Sequence, residues 1–118
     1  MNIMIVEDDR RMRSMVKQIL QKNLQQIGEI CECVNGDEAL ANIVSFKPDW
    51  VLMDIQLNGM NGLIAAERIL QIKPAVKIAF VTQYDDPAYR EIAEKIGARA
   101  YVLKDNLLEL VAIVKNVL

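Results

Sequence analysis

The chain contains no histidine, only two cysteines and few aromatic residues, and these shortages limit the sites it can build. Cys31 and Cys33 are two residues apart, but no other cysteine or histidine is present to complete a zinc site. Free cysteine usually behaves as a small, buried apolar residue. We therefore interpret the pair as two free thiols on one face of a strand.

Long apolar runs and excess positive charge are also missing. No apolar stretch approaches the roughly 20 residues that cross a membrane, and residues 1–9 lack the basic start of a signal peptide. The formal net charge of −2 argues against binding of nucleic-acid phosphates by this segment. We expect a cytoplasmic chain without membrane contact or direct nucleic-acid binding.

The composition is that of one globular domain. Hydrophobic residues make up 53% of the 118 residues and charged residues 25%, while proline and glycine are sparse. A chain of this length buries roughly two-thirds of its unfolded surface. We expect a single domain over residues 1–118.

Strand patterns alternate with helix patterns along the whole chain. The predicted strands cover residues 2–6, 29–34, 50–54, 76–82 and 99–103, and an amphipathic helix follows each one. This alternation favours an α/β fold in which right-handed crossovers place helices on both faces of a parallel sheet.

Caps and apolar spacing define the predicted helices. Asp9 and Asp86 are candidate N-caps, and Asn35 with Glu38 and Asn106 with Glu109 are candidate capping boxes. The apolar faces of the first and fourth helices are assigned to Met12, Met15, Val16, Ile19, Leu20 and Asn23/Leu24, and to Ile92, Ala93 and Ile96.

The last helix has more apolar residues than packing on a sheet requires. Leu107, Val111, Val114 and Leu118 form one face, with Leu108 and Ala112 on one flank and Ile113 and Val117 on the other. We expect the fourth helix, fifth strand and fifth helix to form a partner or dimer surface. Burial of these residues in the core alone is the open alternative.

Asp54 is the residue that most needs an explanation. It ends the apolar run Trp50-Val51-Leu52-Met53, where a buried carboxylate is costly without a cation or hydrogen-bond donors. Parallel strands end at one edge of the sheet, where ligands bind. The residues expected at that edge are Glu7, Asp8, Asp54, Thr82 and Lys104.

This set of side chains predicts phosphoryl chemistry. Two carboxylates about 5 Å apart repel by roughly 3 kcal/mol at an effective dielectric near 20. Lys104 would neutralise one charge, and Mg²⁺ bridging Asp8 and Asp54 would neutralise two more. A carboxylate nucleophile beside Mg²⁺, an ammonium and a hydroxyl suits an incoming phosphoryl group.

Structural explanations exist for some of these residues taken singly. Asp9 and Asp86 are accounted for as helix caps, Glu7 as a solvated turn residue, and Lys104 as a surface lysine. For Asp54 no local structural need is evident.

Four segments in this order resemble the receiver domain of bacterial two-component response regulators, across essentially the whole chain. They are IVEDD at 5–9, VLMDIQLNGMNGL at 51–63, VTQYDD at 81–86 and AYVLKD at 100–105. The resemblance implies a flavodoxin-like (βα)5 fold, a doubly wound parallel five-stranded sheet of order 2-1-3-4-5.

The resemblance also assigns roles at the predicted sheet edge. Asp54 would be the phosphoacceptor, taking a phosphoryl group from a phosphohistidine of a sensor histidine kinase. Asp8 and Asp54 would bind Mg²⁺ directly, with the backbone carbonyl of Gln56 as a further ligand and Glu7 acting through water.

The remaining implied roles concern the readout. Lys104 would pair with the phosphoryl oxygens, and Thr82 would move to hydrogen-bond one of them. Tyr101 matches the switch aromatic, which turns inward when Thr82 moves. The output is then a population shift of one surface.

The chain departs from the usual family pattern at three places. Leu57-Asn58 replaces Met-Pro after the acceptor strand, and Gln83 follows Thr82 where a small residue is usual. Asp105 replaces a proline after Lys104, so we expect a trans peptide bond there. A Lys-Asp pair is familiar in receivers joined to LuxR-type output domains.

We interpret the chain as a phosphorylation-activated switch rather than an enzyme. It would control an output domain or partner, with transcription regulation as the output and homodimerisation on phosphorylation as one route; no output domain lies within residues 1–118. A phosphorylation-independent docking or dimerisation module is the alternative, supported by Gln83. An aspartyl phosphohydrolase would need a second acid at position 56, where Gln56 stands.

Overall fold

A computed structural model describes residues 1–116, in which five strands alternate with five helices. None of the helices in that range is long and apolar enough to cross a membrane. In chain order the elements are β1 Ile3–Val6, α1 Arg10–Asn23, β2 Ile30–Cys33, α2 Gly36–Phe46, β3 Trp50–Met53, α3 Gly62–Ile72, β4 Lys77–Thr82, α4 Pro87–Ile96, β5 Ala100–Leu103 and α5 Leu107–Lys115.

All strand pairs are parallel, and the strand order is β2-β1-β3-β4-β5, which confirms the predicted fold. The register aligns the strand ends: Val6 lies opposite Met53, and Thr82 lies opposite Leu103. The residues that follow these pairs, including Asp54, therefore leave the sheet at the same edge.

Neighbouring strand residues point to opposite sides, so these apolar strands give the sheet two apolar faces. Helices cover both of them. One buried cluster joins the sheet to α2 and α3, and the other joins it to α1 and α5. Strand residues of the first cluster include Met4, Val6, Val51 and Met53, and those of the second include Ile3, Ile5, Trp50 and Leu52.

Three of the predicted helix starts are confirmed. The Asp9 carboxylate accepts two backbone N–H groups of α1, and the Asp86 carboxylate accepts one of α4. Asn35 caps α2 by accepting the Glu38 N–H at 2.8 Å. The Glu38 carboxylate bonds the N–H of Val34 at 3.0 Å, so the box closes one residue earlier than the usual pattern.

The capping box predicted at Asn106 and Glu109 is wrong. The Asn106 amide donates to the Glu109 carboxylate at 2.9 Å, and the Asn106 side chain makes no cap hydrogen bond to the backbone. Its φ and ψ of −135° and 57° depart from the extended conformation usual at an N-cap. The two side chains therefore pair with each other across the first turn of α5.

The predicted apolar faces are partly wrong at the surface. Met15 and Ile92 are exposed by 51% and 43%. On α5, Leu110 is fully buried although the predicted face omitted it. Leu108, which was assigned to a flank of the expected partner surface, is 65% exposed. Because α5 packs on α1 as well as on β5, the core takes up most of its apolar surface. Val117 and Leu118 lie outside the described residues.

The two cysteines are free, as predicted, and lie on the same face of β2. Their Sγ atoms are 3.9 Å apart. Cys33 is fully buried, whereas Cys31 is half-buried. Burial and the neighbouring Cys31 thiol raise the pKa of Cys33 to about 12.

Candidate functional site

Asp54 immediately follows β3 and is 5% exposed. Its backbone N–H donates to the Val6 carbonyl at 3.0 Å, which extends the β1–β3 ladder by one residue. Its Oδ2 accepts from Lys104 Nζ at 2.8 Å, and its Oδ1 accepts from the Gln56 N–H at 3.3 Å. A cation and a backbone donor therefore compensate this carboxylate at the sheet edge.

Glu7 shares the same lysine. It is 4% exposed, and its Oε1 lies 2.7 Å from Lys104 Nζ. Its other oxygen accepts the Asp9 N–H at 3.1 Å. The interpretation of Glu7 as a solvated turn residue is therefore wrong. Lys104, with 15% of its side chain exposed, is likewise no surface lysine.

Burial and ion pairing set the titration of this pair. Burial raises the pKa of Glu7, although the hydrogen bond from Lys104 works in the opposite direction. Burial also acts to lower the pKa of the Lys104 ammonium. The hydrogen bonds to Asp54 and Glu7 outweigh that effect, so the pKa of Lys104 is raised. The lysine is thus charged at neutral pH.

Asp8 completes a group of three carboxylates. It is half-buried, and oxygen atoms of Glu7, Asp8 and Asp54 all lie within 4.8 Å of one another. One ammonium against three carboxylates leaves an excess of negative charge. A donor set made only of carboxylate oxygens suits a hard divalent cation such as Mg²⁺. The residues present therefore fit the predicted metal.

Gly62 packs directly against the backbone of Asp54, a role that the sequence did not indicate. A Cβ atom at position 62 would lie 2.0 Å from the Asp54 carbonyl oxygen. The Gly62 N–H also donates to the Ile55 carbonyl at 2.8 Å. Only glycine lets the start of α3 approach the Asp54 backbone this closely.

Thr82 and Tyr101 lie on neighbouring strands and both contact Tyr84. Thr82 is fully buried, and its hydroxyl accepts the Tyr84 N–H at 3.3 Å. The Tyr101 hydroxyl donates to the Tyr84 carbonyl. The Arg90 guanidinium lies 4.5 Å from the centroid of the half-buried Tyr101 ring. The two expected switch residues are thus linked through the backbone of one loop residue.

Arg13, on α1, contacts the backbone of Glu7 next to the site. The sequence pattern did not identify this residue. Its Nη1 donates to the Glu7 carbonyl at 2.9 Å, and its Nε pairs with Glu32 at 3.2 Å. The residue lies in the first turn of α1, one helical turn after the Asp9 cap. The first contact ties the end of β1 to α1, and the second ties α1 to β2.

The three departures from the family pattern lie around this site. The Lys104–Asp105 peptide bond is trans, as expected, since residues 1–116 contain no cis bond. Gln83 is exposed beside Lys104, and Asn58 is exposed in the loop after β3. The bulk of Gln83 therefore lies at the mouth of the site rather than in its buried part.

Comparison with known proteins identifies relatives of matching sequence. The family model for the response regulator receiver domain matches residues 3–115. The oxygen regulatory protein NreC of Staphylococcus haemolyticus is 35% identical over 107 residues, covering 89% of this chain and 48% of that protein. The chemotaxis protein CheY of Thermotoga maritima is 35% identical over 102 residues, covering 86% of this chain and 83% of that protein.

Other relatives are also longer than this chain. The transcriptional regulatory protein DegU of Brevibacillus brevis is 32% identical over 116 residues, covering 95% of this chain and 49% of that protein. The chain therefore spans about half the length of the transcriptional regulators that it matches.

Solved structures agree with the sequence comparison. A DNA-binding response regulator of the LuxR family from Staphylococcus aureus is 29% identical, with a TM-score of 0.88 over 97% of this chain and 95% of that one. A CheY-like receiver domain protein from Methanospirillum hungatei is also 29% identical, with a TM-score of 0.83 over 97% and 90% of the two chains. The chain belongs to the family of response regulator receiver domains.

Proposed function

We propose that this domain is a phosphorylation-activated switch in two-component signalling and that Asp54 accepts the phosphoryl group. The donor is a phosphohistidine on a sensor histidine kinase. The relatives NreC and DegU are named as an oxygen regulatory protein and a transcriptional regulatory protein. By analogy, the output is transcription regulation.

The main support for this proposal is that one lysine contacts two of the three carboxylates at the sheet edge. Lys104 Nζ lies 2.7 Å from Glu7 and 2.8 Å from Asp54, with Asp8 in the same carboxylate group. These residues are far apart in sequence, and the acids repel each other unless cations compensate them. A structural ion pair needs one carboxylate for one lysine. The extra carboxylates support a site that takes up a cation and a reacting group.

The transfer itself requires little from the protein beyond position and charge. An oxygen of Asp54 attacks phosphorus as the bond from phosphorus to the donor's imidazole nitrogen breaks. That nitrogen keeps the bond's electron pair. Lys104, freed in part from the Asp54 carboxylate, donates to a phosphoryl oxygen and offsets its charge.

Asp8, Asp54 and the backbone carbonyl of Gln56 would hold Mg²⁺, with Glu7 acting through water. When bound, the ion neutralises charge on the phosphoryl oxygens and orients them. The direct bond between Glu7 and Lys104 keeps one acid paired while Asp54 reacts.

Thr82 and Tyr101 carry the signal away from the site. The Thr82 hydroxyl, which accepts the Tyr84 N–H, turns to donate to a phosphoryl oxygen. The Tyr101 ring moves inward from under Arg90. The new dianion thereby biases a two-state surface, and the change is a population shift. The surface of α4, β5 and α5, where Ile92 and Leu108 are exposed, is the proposed contact for the output domain or a second copy.

A small phosphodonor tests this function without the unknown kinase. The protein is incubated with acetyl phosphate and Mg²⁺, and intact mass is measured with and without a chelator. We expect one phosphate that survives acid, is released by base, and is absent from Asp54→Asn. Asp37→Asn, which changes an exposed aspartate at the start of α2, should label like the wild type.

Two outcomes would replace this function with another. An unlabelled wild type would favour the phosphorylation-independent docking or dimerisation module, for which the exposed Gln83 remains the argument. Steady phosphate release from many unrelated monoesters would favour a phosphohydrolase.

A further inference from the structure

Gln56 connects the acceptor loop to α4 through its side chain. Its Nε2 donates to the hydroxyl of Tyr89 at 3.1 Å, a contact between residues 33 positions apart. The roles expected for Gln56 concern only its backbone, and no role is expected for Tyr89. This bond is separate from the contacts of Thr82 and Tyr101 with Tyr84.

The backbone of Gln56 lies directly at the acceptor. Its N–H donates to Asp54 Oδ1 at 3.3 Å, and its carbonyl is the proposed third ligand of the cation. The preceding carbonyl, that of Ile55, is held by the Gly62 N–H at 2.8 Å. The orientation of one exposed residue therefore affects both the acceptor carboxylate and the cation site.

Tyr89 is well placed to hold that orientation. Its ring is half-buried and packs against the buried cluster shared by the sheet, α2 and α3. A packed aromatic side chain has few rotatable bonds, so it loses little entropy when it fixes a flexible glutamine. The next residue, Arg90, pairs with Asp85 at 2.9 Å and stacks on Tyr101. The first turn of α4 thus contacts both the acceptor loop and the switch aromatic.

We propose that Tyr89 is a positioning residue of the acceptor site, which orients Gln56 and couples the position of α4 to the affinity for a divalent cation. This inference rests on the proposed function, since it assumes that the group of three carboxylates at the sheet edge binds Mg²⁺. Coupling between two sites is reciprocal, so cation binding also steadies the start of α4.

Isothermal titration of the unphosphorylated protein with Mg²⁺ tests this role. The wild type is compared with Tyr89→Phe, Gln56→Ala and the double variant. We expect each single change to weaken Mg²⁺ binding two- to five-fold. The double variant should bind no more weakly than the weaker single variant, because both changes remove the same hydrogen bond. Gln71→Ala, which alters an exposed glutamine on α3, should bind like the wild type.

Amide hydrogen exchange supplies a second readout. Saturating Mg²⁺ should slow exchange in the first turns of α4 in the wild type, and this protection should be smaller in Tyr89→Phe. Because phenylalanine keeps the packed ring, the midpoint of thermal unfolding should change little in Tyr89→Phe. The same measurement shows whether the variant is folded.

Equal Mg²⁺ affinities of the wild type and Tyr89→Phe would overturn the inference while leaving the phosphoacceptor function intact. Additive effects in the double variant would do the same. A wild type that binds no Mg²⁺ and accepts no phosphate at Asp54 would instead overturn the proposed function, and this inference with it.

Discussion

Lys104 Nζ lies 2.8 Å from Asp54 Oδ2 although 50 residues separate the two in sequence. The contact depends on the parallel register, because Leu103 lies opposite Thr82 on β4 and Met53 lies opposite Phe80 on the same strand. The lysine also holds Glu7 at 2.7 Å. One ammonium therefore links the ends of three strands.

Removing this ammonium should destabilise the protein. In Lys104→Met, Glu7 and Asp54 would remain buried without a cation, and we expect a loss of about 3 kcal/mol in the free energy of unfolding without divalent cations. Urea unfolding in a chelating buffer measures this loss. Lys95→Met removes an exposed ion pair on α4 and should cost less than about 1 kcal/mol. Equal losses in the two variants would show that Lys104 does not compensate the buried carboxylates.

The raised pKa of Glu7 should appear in the pH dependence of stability. Between its ordinary value near 4.5 and the higher pKa in the fold, the folded protein binds more protons than the unfolded chain. The stabilisation that this difference in the pKa of Glu7 adds to the free energy of unfolding is fully present below pH 4.5. It is lost as the pH rises through the pKa that Glu7 has in the folded protein.

Glu7→Gln removes that titration. We expect the wild type to lose stability relative to this variant as the pH rises above 4.5, in urea unfolding without divalent cations. Glu94→Gln, which changes an exposed glutamate on α4, controls for the removal of one carboxylate. A stability difference that stays constant with pH would show that Glu7 titrates normally.

Gly59, in the loop between β3 and α3, and Gly62, at the start of α3, should tolerate alanine differently. A Cβ atom at Gly62 would collide with the Asp54 carbonyl, so Gly62→Ala should cost roughly 3 kcal/mol or more. Gly59 has a φ of 81° but open space around it, so Gly59→Ala should cost roughly 1–2 kcal/mol. Urea unfolding compares them, and a smaller loss for Gly62→Ala would be inconsistent with the close approach.

The two thiols should react at different rates. The half-buried Cys31 should be alkylated by iodoacetamide in the folded protein. Cys33 should resist, since it is fully buried and its pKa is raised to about 12. Peptide mapping by mass spectrometry locates the label, and denaturation in urea should expose both cysteines. Equal labelling in the folded state would contradict the described burial.

The fold and most of the site could be predicted because they depend on periodic patterns. In a parallel sheet, apolar strands that end in charged residues predict that Asp8, Asp54 and Lys104 lie at one edge. The pairing of Lys104 with Glu7 was not predicted. A glutamate that follows a strand can be either solvated or buried, and the sequence pattern is the same in both cases. The choice between them depends on the distance to the lysine.

The features that the sequence analysis did not predict have one cause in common: they depend on side-chain geometry, which the spacing of residues does not determine. Asn106 and Glu109 have the spacing of a capping box, but they bond to each other. The bond between Gln56 and Tyr89 depends on how α4 packs, and the role of Gly62 depends on how closely α3 approaches β3. Leu110 was missed because α5 packs on α1 as well as on the sheet.

Locating the phosphate chemically shows whether Asp54 is the acceptor. After treatment with acetyl phosphate and Mg²⁺, reduction with sodium borohydride converts an aspartyl phosphate to homoserine, and peptide sequencing by mass spectrometry then locates it. We expect homoserine at position 54 alone, and only when Mg²⁺ is present. Homoserine at position 8 or elsewhere, or none in phosphorylated protein, would contradict this expectation.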